Sequence, residues 1–242
     1  MRAAGNTSIF ITGSNSKLLA NELSTVLSGR YVSFKINPLS HVEYCELTAK
    51  PLLSEETFGD FFRWGSLPYT GQLTQERDIK AYLRSVFDSI ILRDVVERLQ
   101  LRDVYLLNLI IQYIVSTIGR EFSADNVIKA LSVARENLST GTLYLYIEAL
   151  CSALLINRVY RYDIKGKAVL KTLYKFYLTD LGIGQIKQYS SGIDIAFGLE
   201  NVVYNKLLIR GYDVYSGKSA KREIDFVAYK EGKPVTFRFL IC

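Results

Sequence analysis

Hydrophobic positions near the start of the chain first fall in strand-like runs. Ser8-Ile9-Phe10-Ile11 stops on Thr12-Gly13-Ser14-Asn15, the pattern of a strand that delivers small polar residues to the edge of a sheet. Leu18, Leu19, Leu23, Val26 and Leu27 then repeat at helical spacing, with Ser14 or Asn15 as the cap, and Ser28-Gly29-Arg30 ends the helix. Tyr31 to Ile36 alternates again like a strand, and Asn37-Pro38-Leu39-Ser40 turns the chain. This predicts one strand–helix–strand unit with a right-handed parallel crossover.

From Glu55 to Leu138 the pattern is helical, broken at Trp64-Gly65-Ser66-Leu67-Pro68. Glu76 to Leu99 places Tyr82, Val86, Ile90, Ile91, Val95 and Leu99 on one side, and Asp103–Ile118 reads as a buried helix. Ser123 and Ser139 are caps for helices reaching Leu131 and Leu155. A hairpin over Ile156–Ile164 and Leu170–Leu178 follows, so helix, turn, helix and hairpin come in the order of a winged helix. Gly182 to Gly192 reads as a linker. A helix over Gly198–Arg210 and strands at 212–216, 223–229 and 234–241 complete the chain.

Composition narrows the class. The 242 residues are 49% hydrophobic and 22% charged, which is globular rather than disordered. The net charge of +6 fits either a solvated basic surface or a nucleic-acid surface. The seventeen tyrosines lie largely among basic residues, an interleaving that suits base stacking as well as half-buried strands. Cys45, Cys151 and Cys242 have neither zinc spacing nor a disulfide framework, so a reducing, cytoplasmic compartment is expected. Residues 2–6 contain no apolar stretch of a secretory signal, and the run Tyr105–Val115 is too short to span a bilayer, so no membrane partner is expected.

A phosphate cradle of the form Gly-x4-Gly-Lys-Ser/Thr is absent from this sequence. Gly211…Gly217-Lys218-Ser219 has five intervening residues and leads into a strand pattern, as a hairpin would. No apolar strand ends in Asp-Glu to hold magnesium. His41, the single histidine, could serve as a general base or ligand, but beside Ser40 in a turn it reads as a surface residue. Trp64 reads as a core anchor.

The stretch Ile9 to Leu19, with Leu27-Ser28-Gly29-Arg30-Tyr31 and Pro38-Leu39-Ser40, closely resembles a family of prokaryotic AAA-type P-loop ATPases that end in a C-terminal domain of unknown function. The resemblance continues through Tyr82-Leu83-Arg84, Ile91 to Arg98, Thr142-Leu143, Lys175-Phe176-Tyr177, Asp180-Leu181-Gly182, Leu199-Glu200-Asn201 and Glu223 to Val227. It implies an N-terminally truncated member: the C-terminal part of an ATPase parallel sheet over 1–75, a mainly helical and winged-helix region over 76–185, and a truncated α/β nuclease-like end over 186–242. It also implies ATP and Mg as cofactors of a complete family member and none for this chain alone. Truncation carries the further expectation of poor solubility or self-association.

By the same resemblance, Asn15 or Ser14 is the sensor for the terminal phosphate or the attacking water. Arg30 is either a cation for the phosphates or a helix C-terminal cap. Glu200 and Asp225 resemble the metal-holding pair of a restriction-endonuclease-like core, with Arg238-Phe239-Leu240 in place of the expected acceptor and lysine. Arg158, Arg161, Lys165, Lys167, Lys171 and Lys175 surround the hairpin. They could contact nucleic acid, or the hairpin could dock a protein.

Overall fold

The computed structural model describes residues 10–13, 30–97, 100–101, 103–133, 138–163, 166, 168–187, 193–219 and 222–238. Helix α1 (His41–Thr48) begins at a capping box formed by Ser40 and Glu43. Helix α2 (Glu55–Trp64) starts under the Ser54 side chain and ends at Gly65, whose φ of 78° suits a residue without Cβ. A short 3-10 turn (Pro68–Gln72) leads to α3 (Glu76–Ile90), which continues as a π turn over Ile91–Glu97.

The π turn has a packing reason. The buried stripe is Ile79, Leu83, Phe87, Ile91 and Val95, spaced by four; Ile91 and Val95 belong to the expected set, whereas Tyr82 and Ile90 are only partly buried at its flank. In an α-helix of 3.6 residues per turn such a stripe drifts steadily around the axis. The wider π turn recovers that drift, so Ile91 and Val95 stay against the core.

Helices α4 (Val104–Ser116), α5 (Ala124–Val133) and α6 (Thr140–Ser152) follow, with Asp103 and Ser139 as caps of α4 and α6. Leu107, Ile110 and Ile114 of α4 and Leu143 and Ile147 of α6 are fully buried in the main core. Helix α6 stops short of Leu155 because Leu154 takes a left-handed φ of 57° and sends the chain into β1.

Strands β1 (Ile156–Asp163) and β2 (Ala168–Leu178) are an antiparallel hairpin. The chain returns through α7 (Leu181–Gln185) and α8 (Ile195–Ile209) to β3 (Asp213–Ser219), β4 (Arg222–Lys230) and β5 (Lys233–Phe237). The sheet order is β2-β1-β3-β4-β5, with β1 and β3 parallel and the other pairs antiparallel. One face of the β1–β2 hairpin offers Tyr174, Phe176 and Leu178 to the helical core. The opposite face offers Val159 and Tyr177, with Phe226 and Ala228 of β4, to Tyr204 and Leu207 of α8.

The chain is thus a mixed α/β fold, but three expectations need correction. The parallel sheet at the start does not form among the described residues: 10–13 and 30–40 contain no strand. Phe10, Val32, Phe34 and Ile36 stand 78% or more exposed, and none of the described strands runs beside them. The helix expected over 16–27 lies outside the described residues. Gly217-Lys218-Ser219, read as a hairpin turn, belongs to β3 itself, and residues 220–221 between the strands lie outside the described residues.

The third correction concerns the linker at 182–192. Its first part is α7, with Leu181, Gly182 and Gly184 buried; 188–192 lie outside the described residues. The glycines that suggested flexibility serve close approach instead. A Cβ on Gly182 would lie 2.1 Å from the Trp64 carbonyl oxygen, and one on Gly184 would lie 2.2 Å from Leu178. Asp180, just ahead, accepts the Ser66 N–H at 2.6 Å and the Ile183 N–H at 3.2 Å, tying α2 to the hairpin's end.

Replacing Gly182 by Ala should destabilise the fold by about 1–3 kcal/mol, the range for overpacking against a backbone that cannot yield. Urea denaturation checks this; an unchanged midpoint would show that α7 does not bear on α2 as described.

Candidate functional site

The polar residues of α8 are aimed at β2. Asn201, fully buried, accepts the Leu178 N–H at 2.7 Å and donates to the Leu178 carbonyl at 2.9 Å. One turn on, Asn205 donates to the Leu178 and Thr179 carbonyls at 3.2 and 3.1 Å. Strand β2 thereby finds partners for its last backbone groups in side chains, where a sheet would use another strand. The sequence reading quoted Asn201 but gave it no role. The available signal is two asparagines spaced by four in a largely apolar helix, which share one face.

Beside Asn201, Glu200 enters a buried charge cluster. Its Oε1 accepts from Lys175 Nζ at 3.1 Å and from the Tyr177 hydroxyl. Lys175 and Glu200 are both buried, with Tyr177 fully so. Burial pushes the Glu200 carboxyl above the usual carboxylate range, against the pull of Lys175 and Tyr177. Burial and the Glu200 charge likewise push the Tyr177 phenol well up. Asp225 on β4 is near enough for its charge to raise both.

Glu200 and Asp225 are therefore close enough to feel each other's charge, and one Glu200 oxygen, Oε1, is engaged by an ammonium and a phenol. Among the described residues there is no group of three or more His, Cys, Asp or Glu placed to hold a metal. Arg238 is exposed beyond β5, and 239–240 lie outside the described residues.

The basic hairpin residues have internal partners as well. Arg158 pairs with Glu148 of α6 at 2.8 Å, and its guanidinium lies 5.0 Å from the Tyr174 ring centre. Arg161 pairs with Glu121, which itself forms an isolated bridge to the Lys175 backbone. Lys171 is a β2 position, and Lys165 and Lys167 lie outside the described residues, as do Ser14 and Asn15. Arg30 is exposed.

A second constellation lies where residues 35–42 meet the rest of the chain. Lys35 Nζ donates to Asn157 Oδ1 at 3.2 Å, Asn157 donates to Thr179 at 3.1 Å, and the Leu39 N–H reaches the Ser66 carbonyl at 3.0 Å. Between them is a cavity of about 170 Å³ lined by Pro38, Ser40, His41, Asn157, Asn205 and Lys206 among others. His41 is not the free surface residue expected from the sequence. Its ring packs edge-on to Phe58 and Phe61 of α2 at 5.3 and 5.2 Å, with Nε2 3.4 Å from Cys45 Sγ. Burial, then the charge of Lys206, lowers its pKa from the ordinary 6.5. Trp64 is a buried anchor as expected, packed with Ile79 and Leu83 beneath the Arg63 guanidinium.

A family model described as an AAA domain matches residues 1–45, and one described as a domain of unknown function (DUF8612) matches residues 55–188. An uncharacterized protein of Haemophilus influenzae is 35% identical over 233 residues, which is 95% of this chain and 58% of that protein. The uncharacterized protein MJ1544 of Methanocaldococcus jannaschii is 27% identical over 241 residues, 93% of this chain and 53% of that protein. The chain thus spans little more than half the length of these relatives. No solved structure matches it. The cavity at His41 lies on the seam between the two matched segments. Among the described residues no helix is long and apolar enough to cross a membrane.

Two outcomes are expected. Lys175→Met should cost about 3–5 kcal/mol in urea denaturation by stranding a buried carboxylate, and the double variant Lys175→Met, Glu200→Leu should recover most of it. The lowered His41 pKa means that the folded state binds fewer protons than the unfolded chain below 6.5, so its contribution to stability is lost as pH falls through that value. Denaturation midpoints at about pH 7.5 and 5.5 should therefore differ more for the parent than for His41→Phe; equal differences would place the ring outside the packing described.

Proposed function

As the chain belongs to the family defined by the domain of unknown function DUF8612, with part of an AAA domain ahead of it, we propose that it is the responding end of an AAA-type ATPase. In this reading Asn15 or Ser14 senses the terminal phosphate and Arg30 contributes a cation, while the phosphate cradle and its magnesium come from polypeptide outside these 242 residues. The observation that carries it is the seam. Residues 35–42 at the end of the AAA match are hydrogen-bonded to Asn157 and Ser66 of the following domain, so a shift of the sensor segment has a direct mechanical path into the hairpin.

The chain's own residues supply sensing and transmission, not phosphate binding. A backbone cradle of glycine N–H groups ahead of a helix is what holds a triphosphate, and no such sequence occurs here.

A second reading rests on the order α4, the Glu121–Lys175 bridge, α5, α6 and the β1–β2 hairpin, the layout of a winged helix. Helix α6, in the recognition position, contains no Lys or Arg and exposes Tyr144 and Leu145 beside Glu148. With Arg158 and Arg161 already paired, this helix suits a protein surface better than a duplex.

Radiolabelled ATP should not be retained with this polypeptide in a filter assay at micromolar protein, with or without magnesium. Tight, magnesium-dependent retention would overturn the division of labour proposed here.

A further inference from the structure

The cavity at the seam has two walls of different origin. Residues 37–42, inside the AAA match, form one of them. The other is a single face of α8, where Val202, Asn205, Lys206 and Ile209 recur at the spacing of helix neighbours. Pro38, Leu39, Phe61, Leu181, Val202 and Ile209 make the lining mostly apolar. The space is about 170 Å³ and partly open to solvent; an apolar cavity of about 150 Å³ admits benzene.

Most polar groups around this space are already committed. Asn205 donates to the Leu178 and Thr179 carbonyls, Asn157 bonds Lys35 and Thr179, and Ser66 bonds Asp180. Lys206 is the exception. No Asp, Glu or Arg lines the cavity, and among the described residues no hydrogen bond or ion pair holds the Lys206 ammonium. Its charge is felt by Glu43, but that carboxylate accepts the Ser40 N–H at 2.7 Å in the capping box. His41 also feels it and, with its pKa lowered by burial and then by Lys206, is neutral at pH 7. The half-buried Lys206 therefore gives an apolar space one unpaired positive charge.

We propose that this cavity binds a small apolar monocarboxylate, its body among Pro38, Phe61, Val202 and Ile209 and its carboxylate on Lys206. One ammonium matches one negative charge, whereas a doubly charged phosphate ester would stay half neutralised. The volume sets the size of the body at about one ring. A molecule filling the space touches both walls, so its occupancy braces residues 37–42 against α8. The site depends on the seam contacts alone, and it stands whether or not the chain serves an ATPase.

The test is ligand-detected fluorine NMR with para-fluorobenzoate, para-fluorobenzylamine and para-fluorobenzamide. The parent chain should bind the benzoate with a Kd of about 1 mM or tighter, and the amine at least about tenfold more weakly. Lys206→Met should erase that preference and leave the neutral amide unaffected. Val202→Phe fills the cavity and should abolish benzoate binding in a chain that circular dichroism shows to be folded. Absence of binding by the parent at about 10 mM benzoate, equal affinity for acid and amine, or an unchanged ratio in Lys206→Met would overturn the proposal. Amide shifts of the isotope-labelled parent chain on adding benzoate decide the matter even if a variant fails to fold. Shifts on both walls, at 39–42 and 202–209, support it, and shifts on one wall alone or confined to other elements refute it.

Discussion

The end of β2 depends on side chains for hydrogen bonds that a neighbouring strand would ordinarily supply. Asn201 and Asn205 provide them, and in doing so fix α8 against the hairpin at one register. Much else follows from that attachment. With α8 seated, Glu200 falls opposite Lys175 and Tyr177, and Tyr204 stacks on Tyr177 at 4.6 Å between ring centres. Charge buried this deeply adds little net stability compared with an apolar pair, but it penalises every other register of helix on strand.

Asp180 performs the matching task on the helical side. Buried, with no ion pair to it among the described residues, it relies on the Ser66 and Ile183 N–H groups, and burial raises its pKa nonetheless. Gly65 and Gly182 leave the space this contact needs, each with a backbone or carboxylate where a Cβ would stand. The hairpin's terminus is therefore clamped from both sides, by α8 through asparagines and by α2 through one aspartate. The segment continuous with the AAA match is bonded to the same place through Asn157.

The helices after Ser123 and Ser139 were legible because capping residue and apolar spacing agree, and both serines do accept a backbone N–H. Ser40, Ser54 and Asp103 accept one in the same way, but were not read as caps, and the helix after Ser40 was read as a turn because Pro38 stands just ahead of it. The C-terminal strands were legible from alternation between Val214 and Phe237. What escaped was tertiary. Gly182 and Gly184 look the same in sequence whether they loosen a linker or admit a neighbour. Arg158, Arg161 and Lys175 look like a basic surface until Glu148, Glu121 and Glu200 are brought to them from distant elements. Glu200 suggested a metal by resemblance, and its place in the sequence does not reveal an ammonium held against it by β2.

Trp64 is the sole tryptophan, and it sits where α2 turns into the Asp180 clamp, with Arg63 and Lys80 against its indole. Its emission wavelength therefore belongs to a single locus of known surroundings. The influence of a cation on an indole's emission falls off steeply with distance, so the protein carries an intrinsic optical gauge of how α2 and α3 are seated on each other beside the Asp180 clamp.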